Sequence, residues 1–166
     1  MLQTFLNFDC LWYNTFGNVM NFEEMLKIDE NTINIAEAKT HNALVFAFVG
    51  DAVFSLYVRE YLASISMAKA GVLHSLAIKY VRASAQSECF KVLQSELTEQ
   101  ELQICKSARN IKTNNVAKNA SIDEYKKATE FETLIGYLYM VGDKSRLMDI
   151  LKKSITIINN IKKEEK

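Results

Sequence analysis

The sequence predicts an all-α fold, and three observations carry the prediction. Proline is absent and glycine occurs only five times, which suits helices joined by short polar loops and starves a sheet of turn residues. Apolar residues recur at three-and-four spacing in several long stretches. Two tetrads, Thr98–Glu101 (TEQE) and Ser121–Glu124 (SIDE), have the form of capping boxes, each opening a helix. A chain of 166 residues, 49% hydrophobic and 24% charged, can bury one core without staples. The expected organisation is a leader over residues 1–22, one helical domain over 23–160 and a charged tail over 161–166. The leader is rich in aromatics (Phe5, Phe8, Trp12, Tyr13, Phe16). It either packs on the domain or represents translation from upstream of a start at Met20.

The elements follow in order. The run ALVFAFVGDAVFSLYVREYL after Asn42 is apolar from Ala43 to Val58 except for Asp51 and Ser55, as a central helix buried on most sides would be. A second helical stretch spans about Val72 to Ser95 with a break near Ser84; Leu73, Leu76, Ala77, Tyr80 and Val81 line one face, Lys79 and Arg82 the other. Thr98 opens a helix to about Ala108. Ser121 opens another through ATEFETLIGYLYM that stops at Gly142, a residue suited to the left-handed position past a helix end. Asp143 or Ser145 then caps a final helix carrying Leu147, Ile150, Leu151, Ile155 and Ile158 on one face, and the tail KKEEK is solvated.

Composition excludes several functions. Twenty basic residues balance twenty acidic ones, so bulk charge gives no argument for a nucleic-acid partner. Cys10, Cys89 and Cys105 show no CxxC spacing and fit reduced thiols in a cytoplasmic protein. With His41 and His74 as the only imidazoles, a Cys/His zinc centre cannot form, and a bound metal would be held by carboxylates. No apolar run is long enough to span a membrane and the N-terminus lacks a signal-peptide pattern, so no membrane partner is expected.

Two carboxylates are out of place. Asp51 has Ala47, Phe48, Phe54 and Ser55 as its one-turn neighbours, and Glu132 has Ala128, Thr129, Ile135 and Gly136. An unpaired carboxylate in such surroundings takes up a proton or needs a partner from elsewhere. Gly50 lies beside the aspartate and Gly136 one turn past the glutamate; glycine costs a helix about 1 kcal/mol relative to alanine, so the pair suggests close helix approach. If the helices cross there, both carboxylates face one crevice, and a hard cation such as Mg2+ would relieve their repulsion. The plainer alternative is that each satisfies a nearby backbone or hydroxyl group. The stretch KSARNIKTNNVAK, residues 106–118, holds Lys106, Arg109, Lys112 and Lys118 with no acid. It reads either as a phosphate-contacting loop or as an ordinary solvated one. His74 reads most simply as a polar surface residue, Tyr137 and Tyr139 as core or interface aromatics, and Lys152, Lys153, Lys162 and Lys163 as a solvated face.

At these residues the chain resembles a family. VGDAVFSLYVR (49–59) resembles the signature helix of ribonuclease III and FETLIGYLY (131–139) its second acidic motif; LH at 73–74, VRASAQ at 81–86 and ARNIKTNNVAKN at 108–119 are most similar to its small Mini-III branch, which lacks a double-stranded-RNA-binding domain. The likeness covers roughly residues 40–142 in consistent order. Leu44, Ala47 and Thr129 stand where full-length ribonuclease III has further acids; the branch is similar at Ala47 and Thr129. Ser84 and Ile111 replace the lysine and alanine expected in the branch.

The resemblance implies an all-helical endoribonuclease domain, active as a two-fold homodimer that cuts double-stranded RNA. Asp51 and Glu132 would then be the catalytic Mg2+ ligands and Thr129 would support a coordinated water. Arg109, Asn110, Lys112 and Lys118, with His74, would grip the duplex. It further implies a 23S ribosomal RNA precursor as substrate and leaves room for a ribosomal-protein helper. The competing reading is a non-catalytic helical RNA-binding or ribosome-associated module, for which the thinned acidic set is the best support. A helical protein-interaction domain with no RNA role stands behind it.

Overall fold

The computed structural model describes residues 12–13, 19–20, 33–38, 40–109 and 121–164. The domain is all-α, as expected, with α1 (Ile35–Ala38), α2 (Ala43–Ile65), α3 (Ala70–Val81), α4 (Ala83–Leu93), α5 (Glu99–Arg109), α6 (Ile122–Met140) and α7 (Lys144–Glu164). Two short strands near the N-terminus, β1 (Trp12–Tyr13) and β2 (Val19–Met20), pair antiparallel, with Trp12 opposite Met20.

Several helix starts are set by side chains that accept from free backbone N–H groups, although α3 and α4 begin without one. Asn42 Oδ1 accepts from Leu44 N at 3.0 Å and opens α2. Thr98 and Glu101 exchange hydrogen bonds at α5, and Ser121 and Glu124 do so at α6, so both expected capping boxes form. Asp143 rather than Ser145 caps α7, accepting from Arg146 N at 3.0 Å. α6 ends as expected: Gly142 takes φ 74° while Gly142 N and Asp143 N return to the carbonyls of Tyr139 and Leu138. The break expected near Ser84 falls at Arg82, whose extended backbone separates α3 from α4. The short α1 escaped the sequence reading, although Asn34 and Glu37 cap it reciprocally.

The core forms around α2 and α6, the most extensively packed pair, with α4, α5 and α7 closing over α6. Phe46, Phe54, Phe90, Phe131, Leu134, Ile135, Ile150 and Leu151 are fully buried. Phe54 and Phe131 meet edge to face at 4.9 Å between ring centroids, an arrangement the ring quadrupoles favour. At the α5–α7 junction, Arg146 donates from Nε and Nη2 to both carboxylate oxygens of buried Glu101, at 2.9 and 3.1 Å. Burial alone would raise the Glu101 carboxyl, but Arg146 and the Thr98 groups hold it below its ordinary range. Lys153, assigned from sequence to a solvated face, pairs at the surface with Glu96 and Asp149.

The α2 helix corrects one expectation. It is not buried on most sides: Val45, Phe48, Ala52 and Leu56 form an exposed stripe, with Phe48 80% exposed. Asp51 is exposed as well. The apolar run therefore serves two faces, one packed into the core and one bare, which composition alone cannot separate.

Candidate active site

The site is positioned by two glycines. A Cβ placed on Gly50 would lie 1.8 Å from the Glu132 carbonyl oxygen, and one on Gly136 would lie 1.9 Å from the Phe46 carbonyl oxygen. No side chain fits in either gap, so α2 and α6 cross with their backbones in direct contact. Asp51 follows Gly50 in the chain, and the Glu132 carbonyl itself forms the contact, so the backbone segments that carry the two acids adjoin at the crossing.

Burial divides the pair. Asp51 is exposed whereas Glu132 is half-buried. The Glu132 carboxyl is pushed up from 4.5 to about 7, first by burial and then by the negative charge of Asp51, while the Gln86 side chain pulls the other way. The surroundings of the two acids, alike in sequence, are therefore unlike in space.

This donor set suits a hard divalent cation. Carboxylate oxygens are the ligands Mg2+ prefers, and that ion keeps several waters, so two protein carboxylates with an open outer side are a sufficient platform. A cation between them would also remove the repulsion that raises Glu132. Among the described residues no group of three or more His, Cys, Asp or Glu side chains converges, so a cation at this place would rest on Asp51 and Glu132. Thr129, buried one turn before Glu132, spends its hydroxyl proton on the Tyr125 carbonyl at 2.9 Å. Its oxygen can then only accept, which is the polarity a cation-bound water requires.

A ribonuclease III domain profile matches residues 44–143, which include both carboxylates and the crossing glycines. The chain belongs to the ribonuclease III family. Its similarity extends to the Mini-III branch. Mini-ribonuclease 3 of Clostridium tetani is 40% identical over 130 residues, covering 78% of this chain and 86% of the relative. The Thermoanaerobacter protein of the same name is 42% identical, covering 69% and 81%, and that of Brevibacillus brevis 43%, covering 70% and 87%. A crystal structure of a Fusobacterium nucleatum protein superposes with a TM-score of 0.64 at 30% identity, covering 70% of this chain and 93% of that one. As a member of this Mini-III branch the protein is an endoribonuclease.

Within that family setting, the structure treats the other expected residues unequally. His74 is exposed on α3 and makes no hydrogen bond or ion pair among the described residues. Arg109 ends α5, whereas Asn110, Lys112 and Lys118 lie outside the described residues. Ala47 is buried one turn before Asp51 and Leu44 is half-buried, so these positions add no oxygen donor. Cys89 and Cys105 are buried free thiols; burial pushes Cys89 up to about 12 and Cys105 higher, which leaves both unreactive. The residue that sequence reading missed at the site is Gln86. It lay in the quoted VRASAQ stretch, but only its burial against α6 marks it out.

Proposed function

We propose that this endoribonuclease hydrolyses double-stranded RNA with Mg2+ held by Asp51 and Glu132. The observation that supports the reading is the backbone contact at Gly50 and Gly136, which joins the helices carrying two acids 81 positions apart, with the charge of Asp51 bearing on Glu132. When bound, the cation would activate water and stabilise charge on the phosphodiester oxygens. Ionised Glu132 anchors from the protected side and exposed Asp51 from the side open to substrate. Thr129 accepts a hydrogen bond from an ordered water. His74, Arg109, Asn110, Lys112 and Lys118 contact phosphates and sugar hydroxyls; duplex RNA hides its base edges, so these contacts read shape more than sequence.

The proposed working form is a two-fold homodimer closed through the stripe of Val45, Phe48, Ala52 and Leu56, an apolar face that a monomer would leave in water. By kinship with the Mini-ribonuclease 3 proteins, the proposed substrate is the 23S ribosomal RNA precursor. The proposed setting is the cytoplasm, with a ribosomal protein as helper; no described helix is long and apolar enough to cross a membrane.

The test is a gel assay on a long RNA duplex with Mg2+, with and without chelator, beside single-stranded RNA of the same sequence. Cleavage of the duplex alone, stopped by the chelator and restored by Mg2+, is the expected result. A chain that binds the duplex and never cuts it would favour the non-catalytic RNA-binding module instead.

A further inference from the structure

We propose that Gln86 is a positioning residue for Glu132, its side-chain amide reaching from α4 to orient the carboxylate toward the cation. This rests on the two-carboxylate reading above. Gln86 is 1% exposed, one of the few polar side chains sealed in the interior, and its Nε2 has no hydrogen-bond partner among the described residues. A buried amide is costly without a partner, and such an orphan in a folded protein calls for a reason.

The reason lies on the facing helix. α4 packs extensively on α6, and the Glu132 carboxyl responds to the Gln86 amide as to a donor that favours its ionised form. Gln86 Nε2 has no other hydrogen-bond partner among the described residues, so the amide is free to serve this carboxylate. The chemistry of an amide fits the task. An N–H donor can fix one carboxylate oxygen and leave the other turned outward, and being neutral it adds no charge to repel a cation, as lysine or arginine would.

The thinned acidic set makes orientation matter more. With Leu44, Ala47 and Thr129 supplying no carboxylate, the site has two anchors and little redundancy, so a misaligned Glu132 cannot be covered by a neighbour. Groups that orient metal-binding side chains commonly change metal affinity or activity about 10–100-fold when removed.

The deciding experiment measures Mn2+ binding to the metal-free full chain without RNA, by loss of the free-ion signal in electron paramagnetic resonance, and melting in chelator. Variants are Gln86→Leu, Gln86→Met, Asp51→Asn and Glu132→Gln. Gln86→Leu is expected to weaken Mn2+ binding about 10–100-fold, and to raise by a similar factor the metal concentration giving half-maximal cleavage, with melting in chelator unchanged or higher. Should the branched leucine disturb folding, the unbranched Gln86→Met is expected to show the same loss at an unchanged melting temperature. Wild-type affinity in a folded Gln86 variant, with binding lost in Glu132→Gln and Asp51→Asn, overturns the role of Gln86 alone. Undiminished binding in Glu132→Gln, or none in the unaltered protein, removes the carboxylate reading and this inference with it.

Discussion

Glu132 is where site chemistry and stability oppose each other. Its folded-state value near 7 lies above the 4.5 of an unperturbed carboxyl, so the native state holds this proton more tightly than the unfolded chain. Between those two values the unfolded state ionises first, and stability falls as pH rises; above about 7 the loss is complete. For the metal-free protein this one group makes pH 5 more favourable than pH 8 by on the order of 2 kcal/mol. Glu132→Gln should therefore flatten that part of the stability–pH curve and raise the chelator melting temperature at pH 8 while abolishing cleavage. Denaturant melts of both proteins at the two pH values check it, and an unchanged slope would place the shift elsewhere. Activity of the unaltered enzyme should rise through neutral pH, the midpoint moving lower as metal is added, because cation and proton compete for one carboxylate. Asp51 and Glu132 were legible in the sequence as charges among apolar neighbours. Gln86 was not, since an amide carries no charge to look anomalous and its burial arises only when α4 docks on α6.

Between elements, the decisive event is the crossing of α2 and α6. Gly50→Ala and Gly136→Ala each drive a methyl group into a backbone carbonyl, and neither carbonyl can move without displacing its helix. Each should cost about 3 kcal/mol or more, the upper end of the overpacking range. Unfolding in urea reads this directly, and a loss below about 0.5 kcal/mol would contradict the backbone contact. A second prediction concerns the α5–α7 joint. Arg146→Ala leaves the buried Glu101 carboxylate without its cationic partner, held only by Thr98, a change that typically costs about 3–5 kcal/mol. Equilibrium melts near neutral pH should show it. The elements themselves were largely legible: both capping boxes, the stop at Gly142 and the break near Ser84 are chemical signals local to a few residues. The glycine pair was legible too, because glycine inside a helix has a cost that asks for a compensating contact. The short α1 was missed because one turn has no periodicity to detect, and its Asn34–Glu37 cap was the only signal available.

At the level of the whole molecule, the exposed stripe on α2 is the face through which the proposed homodimer would close. Phe48→Glu puts a charge at the centre of an apolar face without touching the core, and should shift a homodimer to monomer in analytical ultracentrifugation with the helical spectrum unchanged. An unaltered sedimentation profile would place the dimer contact on another face. The stripe was illegible in the sequence because a core face and an association face have the same apolar composition; only packing tells them apart. Duplex RNA affinity should fall with salt at a log–log slope on the order of minus two to minus four per subunit, less steeply in Lys112→Ala. The measurement that bears most directly on the function is single-turnover cleavage of duplex RNA by Asp51→Asn across a Mg2+ titration, with circular dichroism and sedimentation matched to the unaltered protein. A folded variant that sediments like the unaltered protein and cuts at no Mg2+ concentration is the expected result; cleavage at the unaltered rate would remove Asp51 from the mechanism.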